Sequence, residues 1–371
     1  MQALAAGLRR LFVGVGILYS VSIIMLAALW AIRSQNSVWL ILSNVFAVFL
    51  FVPLLLLVPL ALFVRSKVLR VTVLAALTIF LVLFGPRFIP PQPRPKQGLR
   101  LRIVTLNQLY KNQHAEAVIQ VIRAQHADIV ALQELSHSVA KAAQQQLRVE
   151  YPYQSLMPAW DDCGMGLLSR YPLQSVVHEQ AANVQHGTID VNGQQVTVMN
   201  VHLKAPDLEE HESERFLSLP LFRNYDGSQR AREMAHLVDL IDRASGPLIV
   251  LGDFNTGDRE PLYNVMASRM HDAYREAGWG LGFSFPSNAH AGSASSPFPL
   301  IRIDYIWSRG GITPTEARVE CNSGGSDHCM VVADVQLDLP TLAAQQPETR
   351  SAILRSAVSG SLKGGDRHGR R

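Results

Sequence analysis

Near the end of the chain the stretch GGSDHCMVV, Gly324 to Val332, sets Asp327 and His328 side by side just before an apolar run. Other β-rich runs carry polar groups in the same way. Asn107 closes LRIVTLN, Glu134 closes DIVALQE, Asn200 and His202 end the second half of TIDVNGQQVTVMNVHL, Asp253 and Asn255 end PLIVLGDFN, and Asp304 lies within IRIDYIW. Asn107, Glu134, Asp253, Asn255, Asp304 and Asp327 with His202 and His328 are rich in hard oxygen donors and include no paired thiolates. Such a set suits Mg²⁺ or Mn²⁺ rather than Zn²⁺. A divalent ion held by one or two carboxylates, water and a substrate phosphate can neutralise a phosphodiester and stabilise its leaving oxygen. An imidazole oriented by a carboxylate can take a proton from water near neutral pH.

Each residue also has a plainer reading when taken singly. Glu134 could be a helix N-terminal acid ahead of Ser136, Asp253 and Asn255 an ordinary turn, Asn200 and His202 the end of a hairpin strand, and Asn107 a turn residue. Asp304 is harder to set aside, because an acid between Ile303 and Tyr305 needs a partner to avoid a desolvation cost. His114, His126 and His236 read as surface or helix residues.

The elements that must position these groups are legible in the hydrophobic pattern. LRIVTLN alternates around β-branched residues as a strand. Ala117, Val118, Val121 and Ile122 then share one helical face that ends near His126. DIVALQE is a second, buried strand, and GMGLLSRYPL a strand followed by a proline turn. Asn192-Gly193 predicts a hairpin turn. Gln229 to Arg243 is a helix with Met234, Leu237, Val238 and Ile241 inward. PLIVLGDFN, IRIDYIW and CMVVADVQL supply three more strands. Many strands, few helices and hairpins among them predict a layered α/β sandwich, two sheets packed together with helices outside.

Composition divides the 371 residues before any motif is read. Leu11 to Ile32 carries no charge, Ser37 to Val64 none, and Val68 to Phe84 only Arg70. Each run is long enough to cross a hydrocarbon core roughly 30 Å thick, the third being the shortest. The first run is too long for a signal-peptide core and lacks a small-x-small cleavage site, so it reads as a retained helix. Pro53 and Pro59 are expected to kink the second run. The expected organisation is a membrane region over 1–86, a Pro-rich extended spacer over 87–99, one globular domain over 100–339, and a disordered polar tail over 340–371. The net charge of +4 and pI of about 9.0 say little about partners, because basic flanks suit anionic headgroups as well as nucleic acid. Three cysteines, Cys163, Cys321 and Cys329, are too few for a disulfide framework or a zinc site. Spacing alone leaves open whether Cys321 and Cys329 pair.

In series, TLN, ALQE, GLLSR, NVHL, GDFN, IDYIW and SDH make the region from Leu101 to about Leu337 resemble the endonuclease/exonuclease/phosphatase superfamily, with its deoxyribonuclease-I-like fold. The resemblance implies a four-layered α/β sandwich, two packed mixed sheets flanked by helices, and metal-dependent cleavage of phosphoester bonds. It implies Glu134 as the main metal ligand with Asn107 beside it, and Asp327 next to the metal or the phosphate. By the same resemblance Asp253 and Asn255 position the attacking water and the phosphate, His202 stabilises the charged phosphorane, and His328 is held by Asp304. Asp327 is the poorer partner for His328, since consecutive side chains of an extended chain point apart.

Departures from subfamily patterns narrow the substrate. Leu109 and Asp162 stand where abasic-site endonucleases of the superfamily carry an acid and a tyrosine, which argues against a repair endonuclease. The reading is a membrane-anchored, Mg²⁺- or Mn²⁺-dependent phosphodiesterase or nuclease with a His general base. Alternatives are a sphingomyelinase-type phospholipid or inositol-phosphate hydrolase, and a non-catalytic membrane-bound binding module. The partners are a phosphodiester, of nucleic acid or of a phospholipid headgroup, and the bilayer itself. GWGLGFSF, Gly278 to Phe285, is the one candidate for an aromatic membrane-inserting hairpin. Arg9 and Arg10 before the first run and Arg65, Lys67 and Arg70 between the second and third, against Arg33 between the first and second, place the N-terminus in the cytoplasm. Three spans then place the globular domain in the periplasm or exterior, and two would reverse this.

Overall fold

The computed structural model describes residues 2–32, 37–92, 98–216, 219–287 and 296–338. The expected tail over 340–371 and residues 93–97 of the Pro-rich spacer lie outside the described residues. The apolar N-terminal region forms helices α1 (Gln2–Ile32), α2 (Val38–Val45), α3 (Ala47–Leu50), α4 (Leu54–Phe63) and α5 (Lys67–Phe84). Two helical stretches, Ala6–Ile32 and Lys67–Phe88, are long and apolar enough to cross a membrane, and Val38–Val45 with Ala47–Phe63 makes a third if the pair is one span bent by 81°. The interrupted run is therefore the second, and the short third run is a continuous helix.

The bend falls at Phe46, not at either proline. Pro53 is the N-cap of α4 and Pro59 sits within it, the former at a helix start where no donor is required. Next to the bend α2 makes a tertiary contact: Asn44 Nδ2 donates to Arg259 O at 2.8 Å, and Arg259 Nε donates to Asn44 Oδ1 at 2.7 Å. Arg259 also lies 5.4 Å from the ring centres of both Trp30, late in α1, and Phe84, at the end of α5. Earlier in the same helices, a Cβ on Gly16 would meet Leu69 at 3.0 Å. So α1 and α5 run parallel, and α3 with α4 is the segment that returns between them.

The rest of the chain runs β1 (Leu99–Asn107), α6 (Ala115–Gln125), β2 (Ile129–Gln133), α7 (His137–Gln146), β3 (Tyr153–Met157), β4 (Met165–Ser169), β5 (Leu173–Glu179), β6 (Val184–Val191) and β7 (Gln194–His202). It continues through the hairpin β8 (Asp207–Phe216) and β9 (Leu219–Asp226), α8 (Ser228–Arg243), β10 (Leu248–Asp253), α9 (Pro261–Ala267), β11 (His271–Asp272), α10 (Ala273–Ala277), β12 (Asp304–Arg309), β13 (Ile312–Glu320) and β14 (Met330–Leu337). Two six-stranded mixed sheets result, in the orders β13-β14-β1-β2-β4-β3 and β11-β12-β10-β7-β6-β5.

Alternation along the strands sends one set of side chains inward. Leu101, Ile103, Ile129, Ala131, Val198, Ile249, Leu251, Ile306, Val331 and Ala333 fill the space between the sheets. The opposite set, Val104, Leu106, Val130 and Val332, packs on Val118, Ile119 and Ile122 of α6 and Val139 of α7. On the second sheet Met199, Val201 and Val250 pack on Met234, Leu237 and Ile241 of α8. This is the expected α/β sandwich, with helices on both outer faces. The hairpin at Asn192-Gly193 also forms, with both residues at positive φ, 55° and 88°.

Candidate active site

Strand direction explains why distant residues meet at one edge. β1 and β2 are parallel with Asn107 against Gln133, so Glu134 follows at the same end. β7 and β10 are parallel with His202 against Asp253. β12 is antiparallel to β10, so its first residue, Asp304, also lies against Asp253. β14 is antiparallel to β1, and its entry loop brings Asp327 and His328 to that edge. Gly252 permits the close approach of β10 to β7, because a Cβ there would collide with the carbonyl of Val201. Glu134 and Asn255 leave their strands at φ 53° and 46°, a conformation that costs free energy and tends to persist where the surroundings over-determine it.

The polar groups form one connected set. Asn107 Nδ2 donates to Glu134 Oε1 at 2.9 Å and to Asp253 Oδ2 at 3.1 Å, while its Oδ1 accepts from Leu109 N–H at 3.0 Å. The Tyr110 N–H donates to Glu134 Oε2 at 3.1 Å. His202 Nε2 stands 3.8 Å from both Glu134 Oε1 and Asp253 Oδ2. The Asn255 N–H donates to Asp253 Oδ1 at 2.8 Å. His328 Nδ1 lies 3.0 Å from Asp304 Oδ2, and its Nε2 3.7 Å from Asp253 Oδ2. Asp304, not the adjacent Asp327, is thus the neighbour of His328. Glu134, His202, Asp253, Asn255, Asp327 and His328 line a cavity of about 480 Å³. Asn107 and Asp304 stand behind them, each buried.

Burial and like charge shape the electrostatics. Burial pushes Asp253 up to about 6, with the charge of Asp304 adding to the rise and the imidazoles of His328 and His202 opposing it. Burial alone would lower His328, but Asp304 and Asp253 outweigh it and lift the imidazole to about 10. Asp327 is raised, chiefly by burial. Among the described residues no lysine or arginine pairs with Glu134, Asp253 or Asp327. Carboxylates gathered without such a partner, with amide and carbonyl groups beside them, fit a hard divalent cation. Asp253, Asp304 and His328 form a cluster whose donor atoms all lie within 4.8 Å of one another. His328 and Asp304 are engaged with each other there, while Glu134, Asp253 and Asp327 present carboxylates to the cavity.

Several contributors carry no motif. Asp162 offers its carbonyl to His202 Nδ1 at 2.9 Å and its carboxylate to Lys204 Nζ at 3.2 Å. Ser284 Oγ donates to Asp304 Oδ2 at 2.6 Å. Arg230 joins the Asn255 carbonyl to Glu260, the latter at 2.6 Å. Ser284 was hidden inside GWGLGFSF, whose aromatic character dominates its reading. Rather than forming a free hairpin, that segment ties the apolar N-terminal helices to the site. Leu281 packs on the helical cluster, Phe283 stacks on Phe49 of α3 at 5.9 Å, and the Phe285 ring lies 4.7 Å from that of His328. Asn200 is not a strand-end group: it is buried between the sheets, bonded to Gln133 at 2.6 Å and to the carbonyls of Leu132 and Gly166.

A sandwich of two mixed sheets with acids and imidazoles gathered at one edge is the architecture of phosphoesterases and nucleases of the deoxyribonuclease-I-like class. Residues 104–328 match the model of the Endonuclease/Exonuclease/phosphatase family, and the chain belongs to that family, whose members are generally metal-dependent hydrolases. No curated protein sequence matches the chain. Among solved structures, TDP2 of D. rerio complexed with a single-strand DNA product is similar at a TM-score of 0.50 and 17% identity, covering 64% of this chain and 99% of that one. An endonuclease/exonuclease/phosphatase of Beutenbergia cavernae DSM 12333 aligns at 0.48 and 20% identity, over 64% and 72% of the two chains. The human Nocturnin catalytic domain with bound sulfate aligns at 0.45 and 22%, over 65% and 96%.

Proposed function

We propose that the chain is a membrane-anchored phosphodiesterase or nuclease that depends on Mg²⁺ or Mn²⁺ and uses His328 as general base. The observation that carries this reading is the convergence of Glu134, Asp253, Asp327, His202 and His328 on one cavity, with no lysine or arginine paired to those carboxylates among the described residues. In this reading Glu134, Asp253 and Asp327 hold the cation, which when bound supplies charge to a phosphoryl oxygen and the leaving group. Asn107 orients Glu134 and Asp253 through its amide nitrogen. Its oxygen becomes available as a ligand only if the amide is turned over, which costs the bond from Leu109. Asn255 and His202 hold phosphate oxygens. Asp304, itself fixed by Ser284, keeps Nδ1 of His328 protonated, so that Nε2 is the atom able to take a proton from water. That role requires a neutral imidazole. Positive charge among the neighbouring carboxylates acts in the needed direction, by cancelling the field that raises the pKa of His328.

Two observations support a domain facing the periplasm or exterior. The parallel course of α1 and α5 puts Arg9, Arg10, Arg65 and Lys67 at the end of the bundle away from the catalytic domain, where the positive-inside rule assigns the cytoplasm. Cys321 and Cys329 are joined as a disulfide, a bond that persists mainly in oxidising compartments.

A second reading, a phospholipid headgroup as the phosphodiester, is favoured by the cleft's attachment to the helices. Phe285 is two residues from the Phe283–Phe49 stack, and Asn255 two from Gly257, beside Val45 of α2. The deciding experiment uses the full chain in detergent micelles. Bis-(p-nitrophenyl) phosphate is supplied with Mg²⁺, with Mn²⁺ or with chelator, followed by DNA, RNA, sphingomyelin and inositol phosphates. Hydrolysis that needs the metal is expected. Equal turnover in chelator refutes the metal role, and no turnover of any substrate leaves the binding-module alternative standing.

A further inference from the structure

At the junction of the helices with the catalytic domain lies a second cavity, of about 540 Å³. Its two halves differ in chemistry. Ala27, Trp30 and Ala31 of α1 and Ile79, Val82 and Leu83 of α5 make the apolar half. Asn44 of α2 with Asp258, Arg259 and Asn264 of the catalytic domain makes the polar half. The acid there is already answered: Asp258 pairs with Arg87 at 3.4 Å and with Arg275 at 2.7 Å. Among the described residues, then, Arg259 faces the cavity, while Arg87 and Arg275, which do not line it, hold the carboxylate of Asp258.

The position along the spans matters as much as the charge. Trp30 and Phe84 flank Arg259 near the domain-proximal ends of α1 and α5, where an apolar span gives way to polar protein. Aromatic residues concentrate at that depth because their rings suit the headgroup boundary. Ala31, next to Trp30, and Ala27, about one turn below it, leave a groove between the helices.

We propose that this cavity binds an anionic phospholipid of the surrounding leaflet, its phosphate at Arg259 and Asn44 and its acyl chain along Ala27, Ala31, Ile79 and Val82. The volume accommodates a headgroup and the upper part of one chain. Charge complementarity commits the site to an anionic lipid: a phosphate there meets the guanidinium of Arg259, and the acid of the described lining, Asp258, is already paired with Arg87 and Arg275. The site is separate from the catalytic cavity, with which it shares no lining residue.

The test reads lipid binding and not catalysis, so its outcome is independent of the proposed reaction. The full chain is purified in mild detergent, incubated with dioleoyl phosphatidylglycerol or dioleoyl phosphatidylcholine, and examined by native mass spectrometry. One phosphatidylglycerol should stay bound under activation that strips phosphatidylcholine. Two variants address the two halves separately: Arg259→Gln removes the charge, and Ala31→Trp fills the groove while leaving every charged residue in place. Each should lower the phosphatidylglycerol-bound fraction at least about tenfold, corresponding to 1.4 kcal/mol. If both variants retain the lipid as the parent does, or the parent retains phosphatidylcholine equally well, the proposal is wrong. Displacement by millimolar glycerol 3-phosphate would likewise overturn it, since that would mean a polar site indifferent to the acyl chain.

Discussion

Replacing Asp304 by asparagine, beside replacing His328 by alanine, tests the proposed division of labour most directly. Asp304 Oδ2 lies 3.0 Å from His328 Nδ1 and 2.6 Å from Ser284 Oγ, and the carboxylate is buried. At an effective dielectric of about 20, two unit charges at such a distance attract by on the order of 5 kcal/mol, which is a ceiling for what the carboxylate lends an imidazolium. Asparagine keeps the shape and one acceptor, so the expected loss is that of a charge-assisted hydrogen bond, about 1.5–3 kcal/mol. That corresponds to roughly 10- to 150-fold in kcat at 1.36 kcal/mol per tenfold. Alanine at 328 removes the proton acceptor altogether, and general-base catalysis contributes about 10²–10⁴-fold. His328→Ala should therefore be the slower enzyme. The assay is kcat on bis-(p-nitrophenyl) phosphate at saturating Mg²⁺ over pH 6–8, with thermal unfolding of each variant as the control for folding. A well-folded His328→Ala enzyme of near-normal rate, or one faster than Asp304→Asn, would refute the mechanism.

Glu134→Gln should remove most activity and weaken Mg²⁺ binding by calorimetry while leaving the unfolding midpoint close to the parent's, because the amide keeps the shape but not the charge. Phe49→Ala, in α3, removes the stack on Phe283, worth about 0.5–1.5 kcal/mol, and should lower kcat more than it raises KM if the helices help to hold Ser284 and Phe285; an unchanged kcat would confine that contact to docking. Burial raises the pKa of Asp272, but the charge and hydrogen bond of Arg302 and the bond from Tyr263 outweigh it, and the net shift is downward. A depressed folded pKa means stability that is complete above the unfolded value, about 3.9, and lost as pH falls through the folded one. Asp272→Asn should accordingly flatten the acid limb of the unfolding midpoint below about pH 4 while lowering stability at neutral pH. In intact cells, alkaline phosphatase joined after Gln97 should be active and a fluorescent protein at the same place dark, with thiol labelling of the unreduced chain reaching Cys163 only; the reverse fusion result places the active site in the cytoplasm.

The alternation of apolar residues in LRIVTLN, DIVALQE and PLIVLGDFN was enough to predict buried strands, because a period of two is dictated by backbone geometry and needs no partner to be read. The polar residues that close those strands were legible for the same reason, since a buried run that stops at Asn107, Glu134 or Asp253 must deliver that group to a sheet edge. Long uncharged runs likewise announced helices fit for a bilayer. Other decisions belonged to the tertiary structure. Only strand order and direction bring His202, Asp253 and Asp304 to one register and set His328 against Asp304. Asp162 and Arg230 act through contacts with residues 40 and 25 positions away, and Ser284 bonds a carboxylate 20 positions away, so no local pattern marks them. Asn44 of α2 exchanges two hydrogen bonds with Arg259, 215 positions away, a contact that no local pattern announces. A sequence specifies where each element begins and which face is apolar; the distances that decide charge, proton position and ligand geometry arise only when those faces are packed against one another.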